Sequence, residues 1–102
     1  MYDLDDVLEE VTAGDAQLLD VREINEWEDG HLEISTLVPL SELQAGSEPN
    51  ETINRDKKTY LHCRSGQRVY LAQPLLEGMG FSNVTPLDEG FEELVMNEFP
   101  EA

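Results

Sequence analysis

The sequence predicts an α/β domain: a doubly wound parallel sheet of four to five strands with helices on both faces. Two patterns carry this. Short apolar runs recur at 17–21, 58–62 and 84–87, as strands buried on both sides require, and segments with helical spacing of their apolar residues lie between and after them. Strands alternating with helices through short connections build a parallel sheet, in which ligands bind where strands end and helices begin. At 102 residues the expectation is one domain, 1–102.

Taken in order, Leu4, Val7, Leu8 and Val11 stand at helical spacing between Asp3, an N-cap, and Gly14, a C-terminal stop. Gln17 to Val21 reads as a short buried strand, and a helical turn from Ile24 to Glu28 ends at Gly30. Ile34, Leu37 and Val38 mark a further strand that stops at Pro39, and Leu40 to Ala45 forms a short helix. Gly46 to Lys58, with Pro49 and Asn50, is a surface loop. Lys58 to His62 is a strand that runs into Cys63-Arg64-Ser65-Gly66-Gln67-Arg68, after which Val69, Ala72, Leu75, Leu76 and Met79 line a helix. Pro74 lies inside that helix, where a lost hydrogen bond predicts a kink or a break. Val84 to Leu87 is the last strand, and Phe91, Leu94, Val95 and Phe99 belong to a final amphipathic helix.

Charge narrows the function. Twenty-three acidic residues against six basic ones give a net charge of −17, which repels phosphate backbones and anionic lipid heads, so neither nucleic acid nor a membrane surface is an expected partner. Met1 to Glu10 holds no positive charge and no apolar run, so it lacks the parts of a secretory signal, and a cytoplasmic location is expected. One cysteine makes no internal disulfide, and with only two histidines a closed zinc site is hard to assemble without carboxylates, so no metal is expected. Of the six cations, Arg64 and Arg68 flank Cys63 and Arg55, Lys57 and Lys58 precede its strand, which predicts positive charge gathered near the thiol.

A cysteine at the end of a buried strand, before a small-residue turn and a helix, lies where backbone N–H groups and the positive helix end converge. That position lowers a thiol pKa from its ordinary value near ~8.5 and favours the nucleophilic thiolate. Ser65, Gly66 and Gln67 suit a loop whose amides turn inward on an anion, with Arg64 and Arg68 adding charge. On these residues alone, a reactive thiol and an ordinary buried cysteine both remain open.

Six blocks in register resemble the rhodanese family: Leu18-Leu19-Asp20-Val21-Arg22-Glu23, Gly30-His31, Val38-Pro39-Leu40, the loop Cys63 to Arg68, Gly80-Phe81-Ser82-Asn83-Val84, and Leu87-Asp88-Glu89-Gly90-Phe91. The resemblance implies a sulfurtransferase without cofactor. In such a protein Cys63 takes a sulfane sulfur from a small anionic donor such as thiosulfate and passes it, through a persulfide, to a thiol or cyanide acceptor. It implies Cys63 as the catalytic residue and Arg64, Ser65, Gly66, Gln67 and Arg68 as substrate-binding residues. Asp20 and Arg22 are then an ion pair bracing the site or touching substrate, and His31 is a supporting, hydrogen-bonded residue. Trp27 matches an aromatic of the family and is expected in the core, and His62 is expected to point away from the loop. The family pattern is broken at Glu33-Ile34, Leu37, Glu89 and near Leu94, positions expected to lie away from the cysteine loop. A strand that often precedes the first helix would have to fit into Met1 and Tyr2, so the chain could equally be one domain of a longer protein.

Two other functions compete. Phosphatases and arsenate reductases on this fold place an arginine six positions after the cysteine, where this chain has Val69, with Arg68 one place early. A binding or regulatory module that kept the fold without efficient turnover fits the departures, Pro74 and the acidic surface.

Overall fold

Asp3 and Gly14 do bracket the first helix: an Asp3 carboxylate oxygen accepts the Asp5 N–H at 2.8 Å, and Gly14 takes the left-handed conformation at φ 85°. The structure, a computed structural model, describes residues 2–102. Its elements are α1 (Leu4–Ala13), β1 (Ala16–Asp20), α2 (Ile24–Glu28), β2 (Ser35–Leu37), α3 (Leu40–Gln44), β3 (Lys58–His62), α4 (Arg68–Gly78), β4 (Val84–Pro86) and α5 (Phe91–Met96). Met1, half of the place left for an earlier strand, lies outside the described residues, and Tyr2 is not in a strand.

The four strands are parallel in the order β2-β1-β3-β4. After β2 the chain crosses back to the other side of β1, which puts the topological switch point between β1 and β3. Successive side chains point to opposite faces, so each central strand feeds two cores. Leu19 and Leu61 join Leu40 and Leu43 of α3 and Val69, Ala72 and Leu76 of α4 on one face. Leu18 and Tyr60 join Val7 of α1, Leu94 of α5, Leu32 and Phe99 on the other. The continuous apolar runs of the sequence are therefore the doubly covered strands they predict. No helix among the described residues is long and apolar enough to cross a membrane.

Three expectations need correction. α4 does not break at Pro74 but runs on to Gly78; Pro74 lies on its exposed side, where water can take the Tyr70 carbonyl that the missing N–H leaves free. Phe99 is not on the last helix. That helix ends at Met96, Glu98 turns left-handed at φ 70°, and the N–H groups of Phe99 and Glu98 close on the carbonyls of Leu94 and Val95, folding the Phe99 ring back into the core. The third concerns charge. Lys58 begins β3 and Cys63 follows its end, so Lys58, and Arg55 and Lys57 before it, enter the sheet about 13 Å or more from the thiol at roughly 3.3 Å per residue. Lys58 instead pairs with Glu10 of α1 at 3.0 Å, beside the Tyr60 hydroxyl that donates to the same carboxylate at 2.7 Å.

Gly78 ends α4 with helical backbone and open space around the position of a side chain. Gly78→Ala is expected to raise stability by about 0.5–1 kcal/mol, read from the urea midpoint at unchanged slope, by removing backbone freedom from the unfolded chain.

Candidate active site

Asp20 and His62 are register partners, so the ends of β1 and β3 lie level at the switch point and Cys63 is the first residue beyond them. The loop that follows turns on Gly66, which is left-handed at φ 78°. A β-carbon there would stand 2.2 Å from the Asp88 carbonyl oxygen, so only glycine fits. Gly90 is held by space alone: a β-carbon on it would meet the Arg64 carbonyl oxygen at 1.8 Å. Next to it the Phe91 N–H donates to the Cys63 carbonyl at 2.9 Å. The segment leading into α5 thus clamps the cysteine loop from above, backbone against backbone.

The clamped loop aims its amides at sulfur. Burial pushes the Cys63 thiol up, but the backbone N–H groups of Ser65, Val69, Gly66 and Arg68 all donate to it and outweigh burial, so its pKa falls below the ordinary thiol value. Cys63 has no exposed surface, while Arg64, Ser65 and Gln67 are exposed, which sets the sulfur one layer beneath the loop. Gln67 supplies none of the four donors. Its backbone stands as the N-cap residue of α4.

Asp20 is wholly buried, and one of its oxygens takes the Arg22 backbone N–H at 2.9 Å while the Arg22 guanidinium grips both at 2.8 to 3.0 Å. The same guanidinium donates to the Gly30 carbonyl at 2.8 Å and lies 4.3 Å from the centre of the Phe91 ring. The pair therefore braces the clamp, and Arg22 also reaches the floor of a shallow cleft of about 230 Å³ lined by Arg64, Asp29, Phe91 and Glu92. His31 sits further along, with its Nδ1 2.9 Å from the Trp27 carbonyl and its ring stacked on the half-buried Trp27 indole at 3.7 Å. It ties off the end of α2 and is placed to support that end of the chain.

Arg68 is not an open anion binder in this arrangement. Its guanidinium forms a two-pronged bridge to Glu26 at 2.6 and 2.8 Å, and the Glu26 carboxyl is held down to about 2, chiefly by that bridge. What Arg68 turns toward Cys63 is its backbone N–H. Among the described residues Arg64 makes no ion pair, so the predicted gathering of cations around the thiol reduces to one free charge. His62 is fully buried on the other side of β3, its Nε2 3.7 Å from Asp20 and without a hydrogen-bond partner. Burial pushes its pKa down, against the opposing pull of the Asp20 charge.

Glu26 and the Asp88–Gly90 clamp are the residues whose roles were not read from the sequence. Glu26 lies 42 positions from Arg68, and no local spacing signals the bridge. Gly90 did stand in a recognisable block, but its reason, the approach of the Arg64 carbonyl, is visible only in three dimensions, and the departure at Glu89, expected away from the cysteine loop, lies within the segment that clamps it.

The sequence model of the rhodanese-like domain matches residues 3–97, nearly the whole chain. This chain belongs to the rhodanese-like domain family. It is 40% identical over 87 residues to YqhL of Bacillus subtilis, covering 83% of this chain and 67% of that protein. It is 33% identical over 76 residues to "Putative sulfur carrier protein YrkF" of the same organism, covering 74% of this chain but only 40% of that protein. Among solved structures, the human single-domain sulfurtransferase TSTD1 superposes with a TM-score of 0.79 over 94% of this chain and 95% of that one, and its 19% identity makes this a likeness of fold.

Two outcomes follow for this rhodanese loop. Alkylation of Cys63 by iodoacetamide is expected to titrate with a midpoint below the free-thiol value of about 8.5. Because the folded pKa is the lower one, ionisation stabilises the fold; the gain is complete above the ordinary thiol value and is lost as pH falls through the folded one. Cys63→Ser should lack this pH-dependent gain, and a wild-type midpoint at or above 8.5 would mark the thiol as inert. Gly90→Ala should cost more than about 2 kcal/mol in urea unfolding, since the loop or the start of α5 must move, and should return the midpoint of any folded fraction toward the free value.

Proposed function

We propose that this rhodanese-like domain, residues 1–102 acting as one unit, is a sulfurtransferase with Cys63 as its catalytic residue. The observation that carries the reading is Cys63 at the switch point of the sheet, in a loop closed on Gly66 and Gly90 whose backbone N–H groups lower the thiol pKa. Such a cradle favours an anion without committing a side-chain charge, and it serves thiolate and persulfide alike. The Cys63 thiolate attacks the outer sulfur of thiosulfate. A Cys63–sulfur bond forms, the donor's sulfur–sulfur bond breaks, and sulfite leaves with its electron pair. A thiolate or cyanide then attacks the outer sulfur of the anionic persulfide and takes it, and the Cys63 thiolate is restored. Neither half needs a cofactor or a net oxidant.

In this reading Ser65, Gly66 and Arg68 act through their amides, joined by Val69. Arg64 is the free cation that meets an anionic donor at contact, and Gln67 lies at the mouth. Asp20 and Arg22 hold the clamp in register, and His31 steadies the end of α2. The name carried by YrkF agrees with a sulfur-handling role, as does the human neighbour's fold.

Intact mass after incubation with thiosulfate tests this. One sulfur atom should be gained on the wild type, removed by a reductant, and absent from Cys63→Ser, which keeps the fold because its volume hardly changes. Arg64→Ala should slow loading by thiosulfate more than loading by a neutral donor. Sulfur gained by Cys63→Ser would overturn the assignment of Cys63, and no gain by wild type from any of several donors would leave only a binding role for the fold.

A further inference from the structure

We propose that the sulfur partner of Cys63 is a basic protein that presents a persulfide or thiol over the face made by the start of α2 and the first turn of α4. This rests on the sulfurtransferase reading and names the partner class for the same site.

The first argument is charge. The domain carries −17, and the cations that could offset it near the site are spent internally, Arg22 on Asp20 and Arg68 on Glu26. Asp29 and Glu92 share the cleft beside Arg64, and neither forms an ion pair among the described residues. A small dianion approaching from solution meets repulsion until it touches Arg64, whereas a basic protein is drawn in by the same field. The second argument is where apolar surface is left uncovered. Among the described residues the exposed large hydrophobic ones are Ile24, Tyr70, Leu71 and Met96, at 50 to 82% exposure, and three of these four belong to the two helices that the Glu26–Arg68 bridge joins beside the cysteine loop. Ile24 opens α2, and Tyr70 and Leu71 lie in the first turn of α4, with the Glu26–Arg68 bridge joining the two helices. An apolar centre with charged surroundings is how a protein interface is built, and a field of one sign selects a partner of the other.

The transfer itself balances. The Cys63 thiolate attacks the outer sulfur of the partner's persulfide, the new sulfur–sulfur bond forms on Cys63, and the old bond breaks to leave the partner's thiolate with the electron pair. The outer sulfur keeps whatever proton it carried, and nothing is oxidised or reduced overall.

The test loads the intact domain from three donors: thiosulfate, a peptide persulfide flanked by lysines and a leucine, and the same peptide with glutamates in place of the lysines. At low salt the lysine peptide should load Cys63 about tenfold faster than the glutamate peptide. Rising salt should slow the lysine peptide while speeding thiosulfate, because it screens an attraction in one case and a repulsion in the other. Leu71→Ser and Ile24→Ser, both at exposed positions outside the cysteine loop, should slow the lysine peptide several-fold and leave thiosulfate loading unchanged, which also shows that they fold. Equal rates from the two peptides, the same sign of salt effect for all donors, or serine variants that slow thiosulfate as much as peptide would each overturn the docking proposal while sulfur on Cys63 still upheld the transferase. Absence of sulfur from every donor would overturn both.

Discussion

One buried carboxylate holds the working end of this domain together. Asp20 ends β1 with no exposed surface, and leaving it there unpaired would cost several kcal/mol of desolvation. Arg22 meets that demand with its backbone N–H and its guanidinium, and in doing so is fixed in direction. Its remaining reach goes to the Gly30 carbonyl and the face of Phe91. Phe91 in turn donates its N–H to the Cys63 carbonyl. A single ion pair thus links the end of β1, the chain after α2, the start of α5 and the cysteine. These segments are far apart in sequence and meet at this end of the sheet.

The local chemistry runs against the global charge, and the geometry shows how. Side-chain cations near Cys63 are mostly committed, yet the thiol pKa is still lowered, because the donors are backbone dipoles held at short range inside a clamped loop. Fixed dipoles lose little to solvent, whereas the exposed carboxylates act largely through water and are screened beyond roughly 8 to 10 Å at physiological ionic strength. A strongly acidic protein can therefore keep an anion at its centre without a ring of arginines around it.

The α/β class and the order of elements were readable because doubly buried strands leave unbroken apolar runs, as Leu18-Leu19 and Tyr60-Leu61 do, and because Asp3 and Gly14 carry their capping chemistry in their own side chains or lack of one. The place of Cys63 at a strand-to-helix junction was readable from the sequence, and its loop from the resemblance to a family block. What stayed hidden depends on contacts between distant segments. Arg68 looked like a free cation because Glu26 is 42 residues away, and Lys58 looked close to the thiol because sequence distance along an extended strand conceals how far the chain has travelled. Pro74 looked disruptive because its effect depends on which side of the helix faces water.

These hidden contacts separate two jobs that the loop performs. The thiolate is governed by backbone: four N–H groups aimed at sulfur, one left-handed glycine at 66, and one close approach at Gly90. The exposed side chains of Ser65 and Gln67 are not among the groups that lower the thiol pKa, which leaves room for other side chains there. Gly66 and Gly90 have no such freedom, since any β-carbon there collides with a carbonyl. On the proposed sulfurtransferase reading, reactivity is therefore a property of the chain's path, while the choice of what reacts falls to the exposed side chains, Arg64 above all, and to the uncovered apolar residues of α2 and α4. On that reading, a loop built this way can exchange one sulfur partner for another through surface substitutions alone, because such substitutions leave the backbone around Cys63 unchanged.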